Sequence, residues 1–145
     1  MTPLHEQLPA AVAHSLALWH EMVSQRDLTR LPTILADQAV FRSPMAFKPY
    51  AGAAAVQLIL ENVMQVFADF EYHRQFATAD GASVVLEFSA KVGDKSLKGV
   101  DLIRFDEAGR IADFEVMIRP FNALQALGDE MGKRLAPYLA AYKAQ

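Results

Sequence analysis

Apolar residues fall at helical spacing in the first segment, where Leu8, Val12, Leu16, Trp19 and Val23 form one stripe of an amphipathic helix ending near Gln25. Trp19 therefore faces inward. Asp27 suits the N-cap of a short second helix carrying Leu28, Leu31, Ile34 and Leu35, with Pro32 in its first turns or kinking it. Residues 39–43, AVFRS, are rich in aromatic and branched side chains and stopped by Pro44, which predicts a strand leading into the loop PMAFKPYAG. Helical periodicity returns from Ala53 to Phe67 through Val56, Ile59, Leu60 and Val63, giving a third helix.

Beyond Asp69 the period changes to alternation, and the runs 70–77, 83–92, 96–105 and 110–119 read as strands bounded by Gly or Asp turn residues. The last segment opens with Pro120 and an Asn122 cap. Leu124, Leu127, Met131, Leu135 and Tyr138 then make a helical stripe that Pro137 bends. Helices followed by an antiparallel meander define an α+β protein. The pattern predicts one domain over residues 1–145, with 121–144 as a C-terminal helical extension and no repeats or linker.

Because strand side chains alternate between faces, each strand sorts into two rows. In 97–105 one row is Leu97, Gly99, Asp101, Ile103 and Phe105, so Asp101 is the only charge among apolar neighbours. Ala112, Phe114, Val116 and Ile118 form an apolar row in 110–119, as do Val84, Leu86, Phe88, Ala90 and Val92 in 83–92. Glu87 and Glu115 sort to the mixed face, as solvated charges or contacts of a partner subunit. The first strand of the meander gives Phe70, Tyr72, Arg74 and Phe76, an apolar row with one cation, Arg74. An unpaired carboxylate in such surroundings either takes up a proton or finds a cation. Two readings of Asp101 follow: a buried ion pair with Arg74, or a neutral acid of raised pKa that donates a hydrogen bond to a ligand oxygen.

Composition narrows the classes of partner. A chain of 145 residues, 52% hydrophobic and 21% charged, is long enough to close one core without metal or disulfide staples. Its net charge of -3 offers no basic face, so nucleic acid is not an expected partner. The absence of Cys removes disulfide scaffolds, thiolate metal sites and cysteine nucleophiles, and a cytoplasmic location is the expectation. His5, Glu6, Gln7 and His14 interrupt any signal-like apolar run, and no stretch approaches a membrane span. His14 and His20 lack the spacing of a ligand pair, and His5 and His73 stand apart, so no metal site is expected. His20 reads as a surface histidine. Without a Gly-rich phosphate loop or a nucleophile elbow, no cofactor is expected either.

The run GVDLIRFDEAGRI at 99–111 and the segment AVFRSPMAFKPYAG resemble bacterial ketosteroid isomerase of the nuclear transport factor 2-like superfamily. That resemblance implies a bent sheet wrapped by three helices into a cone; the C-terminal segment past Pro120 is longer than that of the isomerase and would lie over the pocket mouth or a neighbouring subunit. It also places Asp101 where the isomerase holds a protonated aspartic acid against the developing enolate oxygen. Its basic aspartate falls on Ser43, whose hydroxyl is too weakly basic for that role, and its tyrosine donor falls on Trp19. The resemblance therefore favours a SnoaL-like isomerase, cyclase or hydrolase over a standard ketosteroid isomerase.

The candidate site comprises Asp101 as acid or oxyanion donor, with Trp19, Phe41, Ser43, Phe47, Tyr72, Arg74, Phe88, Phe114, Val116 and Ile118 binding a small apolar, oxygen-bearing molecule. Tyr72 and Arg74 would orient that substrate. A non-catalytic carrier, its ligand's carboxylate meeting Arg74, is the alternative. Met117 with outward Val100 and Leu102 leaves apolar area on the convex sheet face and predicts a homodimer.

Overall fold

The computed structural model describes residues 4–143. Helix α1 (Ala10–Gln25) follows Pro9 and buries Val12, Ser15, Leu16, Trp19 and Met22 along one stripe. It ends at Arg26, a left-handed residue (φ 54°) whose N–H donates to the carbonyls of Met22 and Val23. The expected second helix is a single 3-10 turn, Leu31–Ile34. Pro32 in its first turn removes a backbone donor, and Asp27 Oδ1 accepts from Thr29 N at 3.0 Å in a local turn instead of opening a helix.

Strand β1 (Leu35–Arg42) therefore starts earlier than residue 39. Its opening stretch conceals the strand because Asp37 and Gln38 are both exposed and break the alternation. A two-residue strand β2 (Tyr50–Ala51) returns antiparallel along β1, inside the segment expected to be loop. Helix α2 (Ala53–Val66) buries Ala55, Val56, Ile59 and Leu60.

The meander consists of β3 (Ala68–Ala77), β4 (Ser83–Val92), β5 (Lys95–Phe105) and β6 (Ile111–Arg119). One six-stranded curled sheet results, ordered β2-β1-β6-β5-β4-β3, in which only the β1–β6 pair is parallel. Its inner face carries the core: Leu86, Phe88, Ile103 and Phe114 are almost fully buried. Gly99 is required on that face, since an added Cβ would lie 2.7 Å from the Phe88 ring and 2.5 Å from the Met117 carbonyl.

Helix α3 (Phe121–Lys143) follows a cis Arg119–Pro120 bond and contains Pro137. Asn122 lies within its first turn, and the carbonyl that receives Leu124 N–H is that of Pro120. Ala123, Leu127 and Leu135 are buried, so α3 packs against α2 and the strands β5 and β6, while Tyr138 at the end of the expected stripe is exposed. No helix among the described residues is long and apolar enough to cross a membrane.

Candidate functional site

The strict alternation of β5 makes Asp101 an inward residue, flanked in its own row by Gly99 and Ile103. Its neighbours on the adjoining strands are Leu86 and Val116. Only 5% of Asp101 is exposed, and this burial among apolar groups pushes its carboxyl up to about 7. A hydrogen bond from Tyr72 acts in the opposite direction without overcoming it.

That bond belongs to a directed chain. Trp19 Nε1 donates to Tyr72 Oη at 3.0 Å, and Tyr72 Oη donates to Asp101 Oδ2 at 2.5 Å. An indole nitrogen can only donate, so the tyrosine must pass its own proton onward to the carboxyl group. Burial, the adjacent Asp101 charge and the hydrogen bond it makes all hold the Tyr72 phenol well above its ordinary range, so Tyr72 stays neutral. With Oδ2 engaged as an acceptor, Oδ1 is the oxygen on which Asp101 can carry a proton.

Around this chain lies a cavity of about 270 Å³. Trp19 comes from α1, Phe41 and Ser43 from the end of β1 and the loop beyond it, Tyr72 from β3, Asp101 from β5, and Phe114, Val116 and Ile118 from β6. Trp19 meets Phe114 edge to face at 5.2 Å, and Phe41 stacks on Phe114 at 6.0 Å. The structure thus gathers Asp101 and seven of the ten expected binding residues around one cavity.

Three expected lining residues lie elsewhere. Phe88 is buried behind the wall, stacked on Phe70 at 5.0 Å and tilted against Phe67 at 5.7 Å. Phe47 is fully exposed on the loop, whose preceding residues Pro44, Met45 and Ala46 line the cavity instead. Arg74 projects from the opposite sheet face and pairs with Glu87 through Nε at 2.9 Å and Nη2 at 2.6 Å. The Asp101–Arg74 ion pair does not form.

The cause is a bulge in β3. Tyr72 faces Phe88 and Gln75 faces Leu86, so two residues of β3, His73 and Arg74, stand opposite Glu87 alone. Parity reverses there, turning Arg74 and Phe76 outward; Phe76 is 49% exposed, with the Arg74 guanidinium 5.6 Å from its ring centroid. Glu87 is buried beneath its two cations, Arg74 and Lys98, rather than solvated. The hydrogen bonds from Arg74, with the Lys98 charge adding a smaller share, hold its carboxyl down at about 2.

His20 also departs from expectation. It is half-buried, edge-on to the Tyr72 ring at 5.1 Å, and burial lowers its pKa. The alternation of strands could not reveal that helices complete the cavity. Ile59, Leu60, Val63 and Met64 from α2, and Leu127, Met131 and Leu135 from α3, close it, and their helical spacing was visible without its destination. Arg26, at the end of α1, lines it as well.

A six-stranded curled sheet closed by helices defines the nuclear transport factor 2-like fold. The SnoaL-like domain model matches residues 16–114, and the chain belongs to that family. A steroid delta-isomerase from Pseudomonas aeruginosa is 64% identical over 92% of this chain and 97% of its own, with a TM-score of 0.88. An uncharacterised protein with a cystatin-like fold from Silicibacter pomeroyi is 35% identical over 90% of this chain and 92% of its own, with a TM-score of 0.82. The epoxide hydrolase/cyclase-like enzyme SalBIII shares the fold at 18% identity, covering 76% of this chain and 91% of its own, with a TM-score of 0.62. No curated protein matches.

Proposed function

We propose that the protein is a small-molecule isomerase or cyclase in which Asp101 alone serves as acid and base. The observation that carries this reading is the buried, Tyr72-held carboxyl at the cavity wall, with its pKa raised to about 7. A group that titrates near the working pH both gives and recovers a proton efficiently. On a β,γ-unsaturated ketone, the Asp101 carboxylate takes through Oδ1 the proton from the carbon between the carbonyl and the double bond, giving a dienolate and Asp101 Oδ1–H. Oδ1–H then returns that proton to the far carbon of the double bond, which moves the double bond into conjugation and restores the carboxylate, so no proton or electron is left over.

Similarity to a steroid delta-isomerase supports an apolar, oxygen-bearing substrate. Ser43 at the cavity wall supplies no second carboxylate, which is why a single group is given both roles. Arg74, the anchor expected for the carrier alternative, lies on the other sheet face. We extend the proposal to a homodimer through that outer face, where Phe76 and Met117 are about half exposed. A single monomeric boundary in sedimentation at micromolar concentration would overturn that part.

The test is conversion of a cyclic β,γ-unsaturated ketone to its conjugated isomer, followed by ultraviolet absorbance. Asp101→Asn keeps the shape and should lower kcat by roughly a hundredfold or more, with KM changed little. Unchanged kcat in that variant would sink the catalytic reading.

A further inference from the structure

Asp101 shares its cavity with a cationic side chain. Arg26 lines the same space and, among the described residues, forms no ion pair. Its guanidinium is held in place by one bond, from Nη2 to the Met64 carbonyl at 2.6 Å. Met64 sits in the last turn of α2, where carbonyls have no donor within the helix, so this bond caps α2. One N–H group suffices for the cap, and the remaining donors of the planar fork are left over.

The residue tied to Asp101 and Arg26 are offset along α1. Trp19, tied through Tyr72 to Asp101, and Arg26 are separated by seven residues of chain along the helix and its cap. At the helical rise this sets their backbones roughly 10 Å apart along the helix axis. Between them the wall is aliphatic and aromatic, with Val23, Val63, Met64 and Phe67 contributing no charge. The partial negative charge at the C-terminus of α2 offsets part of the Arg26 charge but not a full unit.

We infer that the cavity selects an amphiphilic acid: an apolar body with an oxygen function at Asp101 and, at its far end, an anionic group received by Arg26. A carboxylate there would replace water on the free donors of the guanidinium with charge-assisted hydrogen bonds. The inference rests on the cavity being the ligand site, as proposed above, and not on any catalysis by Asp101.

The experiment compares naphthylbutyrate with naphthylbutyramide, which share an apolar body and differ in charge at one end. Trp19 is the single tryptophan and lines the cavity, so its fluorescence reports occupancy directly. The protein should bind the acid about tenfold tighter than the amide, a preference that shrinks with added salt. Arg26→Gln retains an N–H for the Met64 carbonyl; it should remove the preference while the amide binds as before, which also shows that the variant is folded. Equal binding of acid and amide by the unaltered protein, or a preference that survives in Arg26→Gln, would overturn the inference. Asp101→Asn should keep the preference even where turnover is lost, so failure of the catalytic reading and failure of this one are separate results.

Discussion

Tyr72 donates its hydroxyl proton to Asp101 Oδ2 across 2.5 Å while accepting the indole N–H of Trp19 at 3.0 Å on its other side. The relationship is directional, and it fixes which oxygen of Asp101 can hold a proton and which cannot. It also joins α1, β3 and β5, three elements far apart in the chain, at one wall of the cavity.

Removing this link has a predictable sign. Tyr72→Phe takes away the bond that lowers the Asp101 pKa and leaves burial acting alone, so that pKa should move further above 7. The pH profile of kcat or of ligand binding should shift upward accordingly. The variant also leaves Trp19 N–H and Asp101 Oδ2 without their partner, which should cost about 1–3 kcal/mol in denaturant unfolding. A profile that stays in place would separate Asp101 from the titration.

Stability should fall with pH across the window set by Asp101. Its folded pKa, raised from 3.8 to about 7, means that the folded state binds more protons than the unfolded state between those values. The stabilisation is complete below the lower value and disappears as pH rises through the upper one, a span on the order of 4 kcal/mol. His20, whose pKa is lowered by burial, gives a trend of opposite sign, while the Glu87 contribution is lost only in acid, towards about pH 2. Comparing melting temperatures of the parent and Asp101→Asn between about pH 5 and about pH 8 isolates the Asp101 share. The difference between the two proteins should change steadily across that window and level off above it.

Arg74→Ala should leave the cavity untouched. Its guanidinium belongs to the outer face with Glu87, and Lys98, 3.5 Å from the same carboxylate, remains as a partner. Ligand titration by Trp19 fluorescence should be unaltered, with a small drop in melting temperature. A lost or weakened ligand signal would contradict the bulge-reversed orientation of Arg74.

Gly132 tests the role of α3 in setting the size of the cavity. It lines the space, and an added Cβ would meet nothing within 4 Å. Gly132→Ala should raise stability by up to about 1 kcal/mol through helix propensity. Gly132→Leu should fill part of the cavity and weaken larger ligands more than small ones, measured as a ratio of dissociation constants. Equal effects on both sizes would place Gly132 outside the ligand's reach.

The sequence by itself determined the rows of β4, β5 and β6, and with them the inward carboxyl of Asp101 and its apolar wall. Those strands pair residue for residue over most of their length, so the period of two survives folding. What the tertiary structure decided is where that period fails. The bulge in β3 arises from how two strands match in length and twist, and it sent Arg74 out to Glu87 while keeping Tyr72 on Asp101. The Trp19–Tyr72–Asp101 chain, the closure by α2 and α3, and the position of Arg26 likewise depend on separate elements meeting in space. Local periodicity records which face of an element is apolar; it does not record which other face will cover it.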